Sequence, residues 1–519
     1  MRTFGTRGPV DPEKHYVVHR TDEIADFINR VKDGRYMVIF APRQTGKTTF
    51  FYHALDALAI EDASYFPIQL DFEEYKNRSL PDFYDYLYED IREAIEDVFQ
   101  KRGSVPSEAL THFLENARMT DHVLMRRFFK NFANLLNNQR VVLIIDEFDG
   151  IPQTAVSDFL YSLRRIYISR TTPRSPYSLG IIGVKNITQL GYDRSISPFN
   201  IQDEFTLRNF TLDQVHELLT QYTEEVGQAF APEVISAIHK QTGGQPFLVN
   251  RLGQILTEEM DIPKTETIGM TYFAKAHTEL LEEGNTNIDH LLTNIRRDRR
   301  FETLLMKIAS YDRGLSFNPD NAIMSELATY GVVKKGADGM CEIINPIYQH
   351  RILQTFKPTF NGLEDTYFPE DTDVDFADYL TAEGHIDLEP LLDNFQAFIA
   401  RAGFRILQVP DTPQEYVGQH LLYAYLDHFV RVVGANMFLE IQTGRGRIDL
   451  LLIHGYQKYV VETKIWEGNK RYQAGKKQLA AYLKLEEVVE GYYVLFDHRR
   501  HPEPLVETET VDGVAIRSY

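Results

Sequence analysis

Hydrophobic and polar positions repeat in a regular way through roughly the first 240 residues. Four short apolar runs, "RYMVIF", "YFPIQLDF", "RVVLIIDEF" and "SLGIIGV", read as buried strands. Between them lie stretches with helical spacing, such as "TDEIADFINRVKDG" and "SDFLYSLRRIYIS". Strands this apolar need cover on both faces, so the alternation predicts a parallel sheet with helices on both sides. From about residue 209 the pattern is all helical ("TLDQVHELLTQYTEEVG", "APEVISAIHKQTGG", "FLVNRLGQILTEEM"). Residues 300–356 give two helices, a strand pair around the turn "KKGADGM" and a closing helix, the order of a winged helix. The stretch "NGLEDTYFPEDTDVDFADYLTAEGH" (361–385) reads as an acidic linker carrying four aromatics. From 386 the order is helix, three strands, helix and strand. The expected layout is therefore a core over 1–208, a helical lid over 209–299, a winged-helix-like domain over 300–360, the linker, and a further α/β domain over 386–519.

A length of 519 residues is too great for one core and agrees with several domains. The single cysteine, Cys341, excludes an intramolecular disulfide and a multi-cysteine zinc site. No apolar run is long enough to span a membrane, and the opening "MRTFGTRGPVDPEKHYVVHR" lacks the apolar centre of a secretion signal. No membrane association and a cytoplasmic location are the expectations. The net charge of −20 argues against a chain coated in positive charge for nucleic acid. Its distribution refines that picture, because 361–385 hold eight acidic residues and no Lys or Arg, whereas 386–519 carry 15 basic against 18 acidic residues. A local basic face is thus compatible with the last domain.

Two places carry chemistry. The first is "YMVIFAPRQTGKTTFFYHAL", a strand, a loop and a helix. The loop Ala41, Pro42, Arg43, Gln44, Thr45, Gly46, Lys47, Thr48 fits the phosphate-binding P-loop pattern, with Ala41 in place of the first glycine, and Thr49 follows. Gly46 lets the backbone approach phosphate, Lys47 supplies charge, and Thr48 offers a hydroxyl to Mg²⁺ at a helix N-terminus. Downstream, "RVVLIIDEFDGI" ends a buried strand in two acids. Asp146 suits the Mg²⁺ shell and Glu147 suits polarisation of the attacking water. Asp149 is a weaker candidate, suited equally to capping the next helix.

The second place is "MFLEIQTGRGRIDLLLIHGYQKYVVETKIW". Residues two apart on a strand share a face, so Glu462 and Lys464 project together, and Asp449 on the neighbouring strand can meet them, while the turn containing Gly444 and Gly446 lets strands pair as a hairpin. Two carboxylates with a lysine make a Mg²⁺ site and a charge to orient water, the equipment of phosphodiester hydrolysis, with Mn²⁺ a substitute metal. The competing reading is a Glu and a Lys kept for solubility. Lys470, Arg471, Lys476 and Lys477 follow and suit either a DNA backbone or a solvated helix face. Arg296, Arg297, Arg299 and Arg300 form a second basic patch. Trp466 and the many tyrosines read as packing residues.

With its P-loop, "LIIDEFD", "SPFNIQDEFTLRNFT" and "TGGQPFLVNRLGQIL", the chain resembles AAA-like P-loop ATPases related to the STAND signalling group and the archaeal-type ATPases, over roughly residues 15–260 and into the winged helix. That resemblance implies ATP and Mg²⁺ as ligands. It places the motif Gly244-Gln245-Pro246, with Pro246 among the nucleotide-binding residues, and Asn186 as sensor of the γ-phosphate. His19 and Arg20 would border the base. Arg164 or Arg165 would serve as a trans-acting arginine, or be solvated helix residues. The last domain resembles the PD-(D/E)XK nuclease-like domains fused to such ATPases. On that resemblance Asp449, Glu462 and Lys464 are catalytic, Gln478 faces the site, and Glu415 is the acidic residue of the preceding helix.

The expected function is an ATP-regulated, Mg²⁺-dependent DNA endonuclease of prokaryotic defence or mobile-element biology, forming a homo-oligomer on nucleotide binding and answering to a protein trigger. Two other readings stand beside it. One is a non-catalytic nucleotide switch or scaffold whose last domain only binds nucleic acid. The other is a DNA repair or recombination ATPase.

Overall fold

The computed structural model describes residues 1–40, 45–137, 139–169, 174–183, 203–283, 299–310, 315–355, 379–381, 383–402, 414–440, 449–455, 457–499, 502 and 504–519. Ala41, Pro42, Arg43, Gln44 and Asn186, the Gly444–Gly446 turn, Arg296, Arg297 and most of the acidic stretch lie outside them. Glu415 and Asp449 are described by their backbone alone. The chain divides into two units, Gly5–Asn209, and Met1–Phe4 together with Phe210–Tyr519.

In the first unit the apolar runs become β1 (Tyr36–Phe40), β2 (Tyr65–Asp71), β3 (Arg140–Asp146) and β4 (Ser178–Gly183), joined by β5 (Asp203–Thr206). The described strands form one sheet in the order β2-β3-β4-β1-β5, and every pairing is parallel. Alternation sends Val38, Ile68, Leu143, Ile145 and Ile181 to one face, among the aromatic side chains of helices Leu80–Lys101, His122–Leu135 and Gln153–Ile168. Met37, Ile39, Val142, Ile144 and Ile182 go to the other face, against helices Thr21–Lys32 and Lys47–Glu61. Both faces are therefore dry, which is why the strands are apolar throughout. β5 was not among the expected strands, because "DEFT" is short and only Phe205 is buried.

The second unit begins with helices Leu212–Val226, Pro232–Thr242, Pro246–Gln254 and Met270–Glu282. The first of these opens on a capping box between Thr211 and Gln214 and stops at Gly227. Met1–Phe4 belong to this unit. The Phe4 ring packs on Tyr222, and its backbone N–H donates to Glu258 at 3.1 Å. Helices Arg299–Ser310 and Ala322–Thr329 follow, then the antiparallel pair β6 (Val333–Lys335) and β7 (Cys341–Ile343), then helix Pro346–Thr355.

Helices Leu388–Ala402 and Gln414–Val433 lead into β8 (Asn436–Glu440), β9 (Asp449–His454) and β10 (Gln457–Ile465). Helix Asn469–Leu485 crosses over to β11 (Glu490–Phe496), and the hairpin of β12 (Glu507–Val511) and β13 (Val514–Ser518) closes the chain. The sheet is mixed, in the order β12-β13-β11-β10-β9-β8, parallel only where β10 meets β11 and β11 meets β13. The last hairpin was not anticipated, since "ETETV" alternates too weakly to announce a strand.

The β8 edge of this sheet lies against the helices of the same unit. Phe438 stacks on Phe273, Thr278 Oγ1 donates to Asn436 Oδ1 at 2.9 Å, and Gln241 Nε2 donates to the Leu439 carbonyl at 3.3 Å. An edge strand left bare invites pairing with other chains, and these contacts cover it. Among the described residues no helix is long and apolar enough to cross a membrane.

Candidate functional sites

β1 delivers the chain toward the phosphate loop, and helix Lys47–Glu61 carries it away. Gly46 caps that helix at φ 76°, a left-handed conformation that only glycine adopts without strain. The Lys47 side chain is only 6% exposed, and its Nζ has no hydrogen-bond partner among the described residues. The nearest countercharge among the described residues is Glu147 Oε1 at 3.7 Å. A buried ammonium with so little compensation is costly unless an anion completes it. Thr48 Oγ1 donates to Asp146 Oδ2 at 2.9 Å, which puts the two Mg²⁺-suited oxygens side by side. Asp146 is buried at the end of β3, and its other oxygen accepts from the Glu147 N–H at 2.9 Å.

Glu147 itself sits at φ 45°, ψ 43°, left-handed for a residue with a side chain. Such strain, held between a buried strand and the turn Phe148–Gly150, is common where a side chain is aimed for function. Thr49 has a different partner, since its hydroxyl accepts from the Val10 N–H at 3.0 Å. Arg20 is buried, donating to the carbonyls of Arg208 at 2.8 Å and Thr45 at 3.3 Å. Burial pulls its guanidinium down to about 10, still charged at neutral pH. Arg20 thus braces the loop through Thr45. Asp149 does not cap the following helix, whose N-cap is Pro152 with no side-chain hydrogen bond, because the 3-10 turn Phe148–Gly150 takes Asp149 up first. Arg165 is exposed, and Arg164 is half-buried with an Nε that has no hydrogen-bond partner among the described residues.

Gly244, Gln245 and Pro246 form the corner between two helices of the second unit. Gly244 has φ 69°, and a Cβ there would lie 1.9 Å from the Phe210 carbonyl oxygen, so the position admits only glycine. Gln245 is buried and donates through Nε2 to Tyr348 Oη at 3.0 Å. Two residues further along the same helix, His350 Nδ1 lies 2.6 Å from Tyr423 Oη on helix Gln414–Val433. Burial holds the His350 imidazole well below its ordinary range, so it is neutral and the tyrosine donates. The corner is thus bonded to helix Pro346–Thr355, and that helix to the helix ahead of the last sheet.

In that sheet Glu462 and Lys464 share a face of β10, buried at 2% and 6% exposure, with Nζ 3.4 Å from Oε1. Register places Asp449 of β9 directly opposite Glu462, and Tyr493 of β11 on its other side. Lys464 opens into a cavity of about 500 Å³ that is also lined by Gln478, Arg471, Trp466 and Tyr493. Gln478 therefore shares a site with Lys464. Glu415 lies on helix Gln414–Val433, which packs by Gly418 against Phe496, on the face of β11 opposite to Tyr493.

Two readings of this region change. Lys476 is not available to a DNA backbone, because its side chain is fully buried, bonded to Glu507 and Glu509, with Nζ 4.2 Å from the Tyr472 ring centre. Trp466 is more than packing. It lines the cavity, and the Arg499 guanidinium lies 5.3 Å over its ring. The cavity also takes Asp338 and Met340 from the turn between β6 and β7. No signal in the sequence links residues so far apart. Among the described residues no group of three His, Cys, Asp or Glu side chains is placed to hold a metal; the side chain of Asp449 is not among them.

An uncharacterized WD repeat-containing protein of Synechocystis is 22% identical over 349 aligned positions, which cover 62% of this chain and 28% of that protein. The chain thus spans less than a third of that relative's length. A Walker-type ATPase of Pyrococcus abyssi superposes with a TM-score of 0.47 at 16% identity, covering 67% of this chain and 99% of the other. The RuvB Holliday junction branch migration motor of Thermotoga maritima gives 0.33 at 14% identity, covering 64% and 94%. The ORC1 protein of Aeropyrum pernix, in complex with DNA, gives 0.30 at 14% identity, covering 66% and 92%. Residues 388–500 match a family described as a domain of unknown function (DUF8371). Residues 6–351, two thirds of the chain and including the whole phosphate loop, Asp146 and Glu147, match the family of the AAA-like domain, and the protein belongs to that family of P-loop ATPases.

Proposed function

We propose that the chain is a nucleotide-controlled, Mg²⁺-dependent DNA nuclease, with ATP bound at Lys47 and phosphodiester cleavage at Glu462 and Lys464. The observation that carries the first half is the buried Lys47 ammonium beside the Thr48–Asp146 hydrogen bond, a donor set that fits a nucleotide triphosphate with its metal. Lys47 would hold the terminal phosphates, Thr48 and Asp146 the Mg²⁺, and Glu147 would orient and polarise water. A bound Mg²⁺ supplies charge neutralisation on the phosphates. On the family resemblance Ala41, Pro42, Arg43, Gln44, Thr45, Gly46 and Thr49 would wrap the phosphates, with Asn186 and Pro246 completing the pocket. A homo-oligomer formed on nucleotide binding, a protein trigger and a role in prokaryotic defence or mobile elements belong to the same proposal.

The second half rests on the buried Glu462–Lys464 pair at the edge of a cavity shared with Gln478. Asp449 and Glu462 would hold the metal, Lys464 would orient the attacking water or the scissile phosphate, and Gln478 would position substrate. The order helix, three strands, helix, strand supports the PD-(D/E)XK reading, and helix–helix–hairpin–helix over 299–355 supports the winged-helix one. The hydrogen-bonded steps from Gln245 through Tyr348, and from His350 to Tyr423, support communication between the lid and the last domain.

One observation favours a second reading, a switch whose last domain does not cut: Lys464 already offers Glu462 a countercharge at 3.4 Å without any metal. Plasmid DNA incubated with Mg²⁺, ATP and either wild type or Glu462→Gln decides between them. Cleavage by wild type alone supports the nuclease. Equal behaviour of the two proteins, together with no Mn²⁺ binding to wild type by calorimetry, supports the switch.

A further inference from the structure

The cavity beside Lys464 is built from two separate parts of the second unit. Lys464, Trp466, Arg471 and Gln478 come from β10 and the helix after it, whereas Asp338 and Met340 come from the β6–β7 turn more than a hundred residues earlier. That turn holds its own shape. Gly336 N–H donates to the Met340 carbonyl at 2.7 Å, Gly339 N–H to the Gly336 carbonyl at 3.0 Å, and Met340 N–H to Asp338 Oδ1 at 3.0 Å. Its base is tied in as well, since Cys341 N–H donates to the Leu315 carbonyl at 2.6 Å and Phe317 N–H to the Gly339 carbonyl at 3.0 Å. The result is a stiff finger with a carboxylate at its tip.

The chemistry of the two sides differs. The sheet side brings two cations, Lys464 and Arg471, and one carboxylate, Glu467, which lines the cavity and pairs with Arg471. The finger brings an anion and a thioether, the thioether sharing the cavity with the ring of Trp466. A carboxylate at the mouth repels an incoming phosphodiester, and the Met340 side chain takes volume that a nucleotide needs. We propose that the turn Gly336–Met340 is a cover that keeps a phosphodiester away from Lys464 until the hairpin moves. This regulation rests on reading the cavity as the phosphodiester site, but the displacement of the cover can be read without any cleavage.

Trp466 is the single tryptophan of the chain, so fluorescence excited selectively at tryptophan, beyond the tyrosine absorption band, reports on this cavity alone. The test compares full-length wild type, Asp338→Asn, which keeps the size of the side chain while removing its charge, and Met340→Ala. Acrylamide quenching of Trp466 is measured with and without a short DNA duplex in Ca²⁺, which supports binding without hydrolysis. Met340→Ala is expected to raise the quenching constant about two-fold, by opening the volume beside the ring. Asp338→Asn is expected to tighten duplex binding about five-fold, the worth of one nearby like charge in a watery setting. Unchanged quenching in Met340→Ala overturns the cover. Duplex affinity that stays the same or falls in Asp338→Asn also overturns it, by making the finger a DNA contact instead of a barrier. Glu462→Gln in each background keeps the two claims separate. If quenching and affinity respond as expected in Ca²⁺ while none of these proteins cuts DNA when Mg²⁺ replaces it, the nuclease reading fails and the cover stands.

Discussion

Three lysines are buried in the described structure, and the regions around Lys47 and Lys476 show how differently such a charge can be used. Lys476 is fully enclosed, yet it reaches Glu507 and Glu509, both roughly half exposed, and lies over the Tyr472 ring. Its charge is satisfied within the protein, and its effect is to pin helix Asn469–Leu485 to the β12–β13 hairpin. Lys47 is buried to a similar degree, but its countercharge, Glu147, stands 3.7 Å away and its Nζ makes no hydrogen bond among the described residues. Burial alone therefore does not distinguish function from structure. What distinguishes them is whether the protein itself completes the charge. Lys464 falls between the two, with Glu462 at 3.4 Å and a cavity on its open side.

The largest effect that sharpens this contrast belongs to Lys47→Ala. Removing the cation from a desolvated anion site is expected to weaken binding of a fluorescent ATP analogue about a hundred-fold or more, with little change in melting temperature. A mere few-fold loss breaks the comparison. The converse experiment is Glu507→Gln with Glu509→Gln, which leaves Lys476 enclosed without its partners. The expected cost is about 2 kcal/mol in chemical denaturation, below that of a fully buried pair because both carboxylates are partly in water. ATP binding should not change. If stability is untouched, Lys476 is not the staple described here.

Buried imidazoles extend the contrast to groups that escape the problem by staying neutral. His277 is enclosed between Phe273 and Phe438 with no hydrogen-bond partner for either nitrogen among the described residues, and burial lowers it to about 3. The unfolded chain takes up this proton near pH 6.5 while the folded one does not until about pH 3. Stability is therefore full above about pH 6.5 and is lost as pH falls through that window. His277→Phe is expected to flatten the slope, sparing about 1 kcal/mol at pH 5.5, with the remainder due to His350. Melting temperatures from pH 7 to 5.5 check it, and parallel curves for both proteins refute it. The smallest effect is that of Gly46→Ala. Its Cβ meets nothing within 4 Å among the described residues, so the expected cost of about 1 kcal/mol in chemical denaturation comes from the left-handed backbone.

The phosphate site was legible because each of its halves sits on adjacent residues: a strand, Gly46-Lys47-Thr48 and a helix in one, and two acids at the end of the second further apolar strand in the other. Local order in the sequence becomes local order in space there. The parallel sheet was legible for the same reason, from apolar runs covered on both faces. The second site was legible along β10, where the period of two puts Glu462 beside Lys464, and in the neighbours expected around it, Asp449 opposite Glu462 and Gln478 beside the same cavity. Its other wall, Asp338 and Met340, comes from a hairpin whose placement depends on how helices Arg299–Ser310 and Pro346–Thr355 pack, and no local pattern encodes that. Lys476 was misread for a related reason. The glutamates that bury it belong to the β12–β13 hairpin, which its weak alternation concealed. β5 escaped notice because an edge strand beside β1 needs only one buried side chain, Phe205.

The central claim is that occupancy at Lys47 controls chemistry at Glu462 and Lys464, and one assay meets it directly. Supercoiled plasmid is incubated in Mg²⁺ with wild type, Lys47→Ala and Glu462→Gln, each with and without ATP. The account predicts cleavage by wild type that requires ATP, and none by either variant under any condition. Cleavage by Lys47→Ala at the wild-type rate, indifferent to ATP, would contradict it.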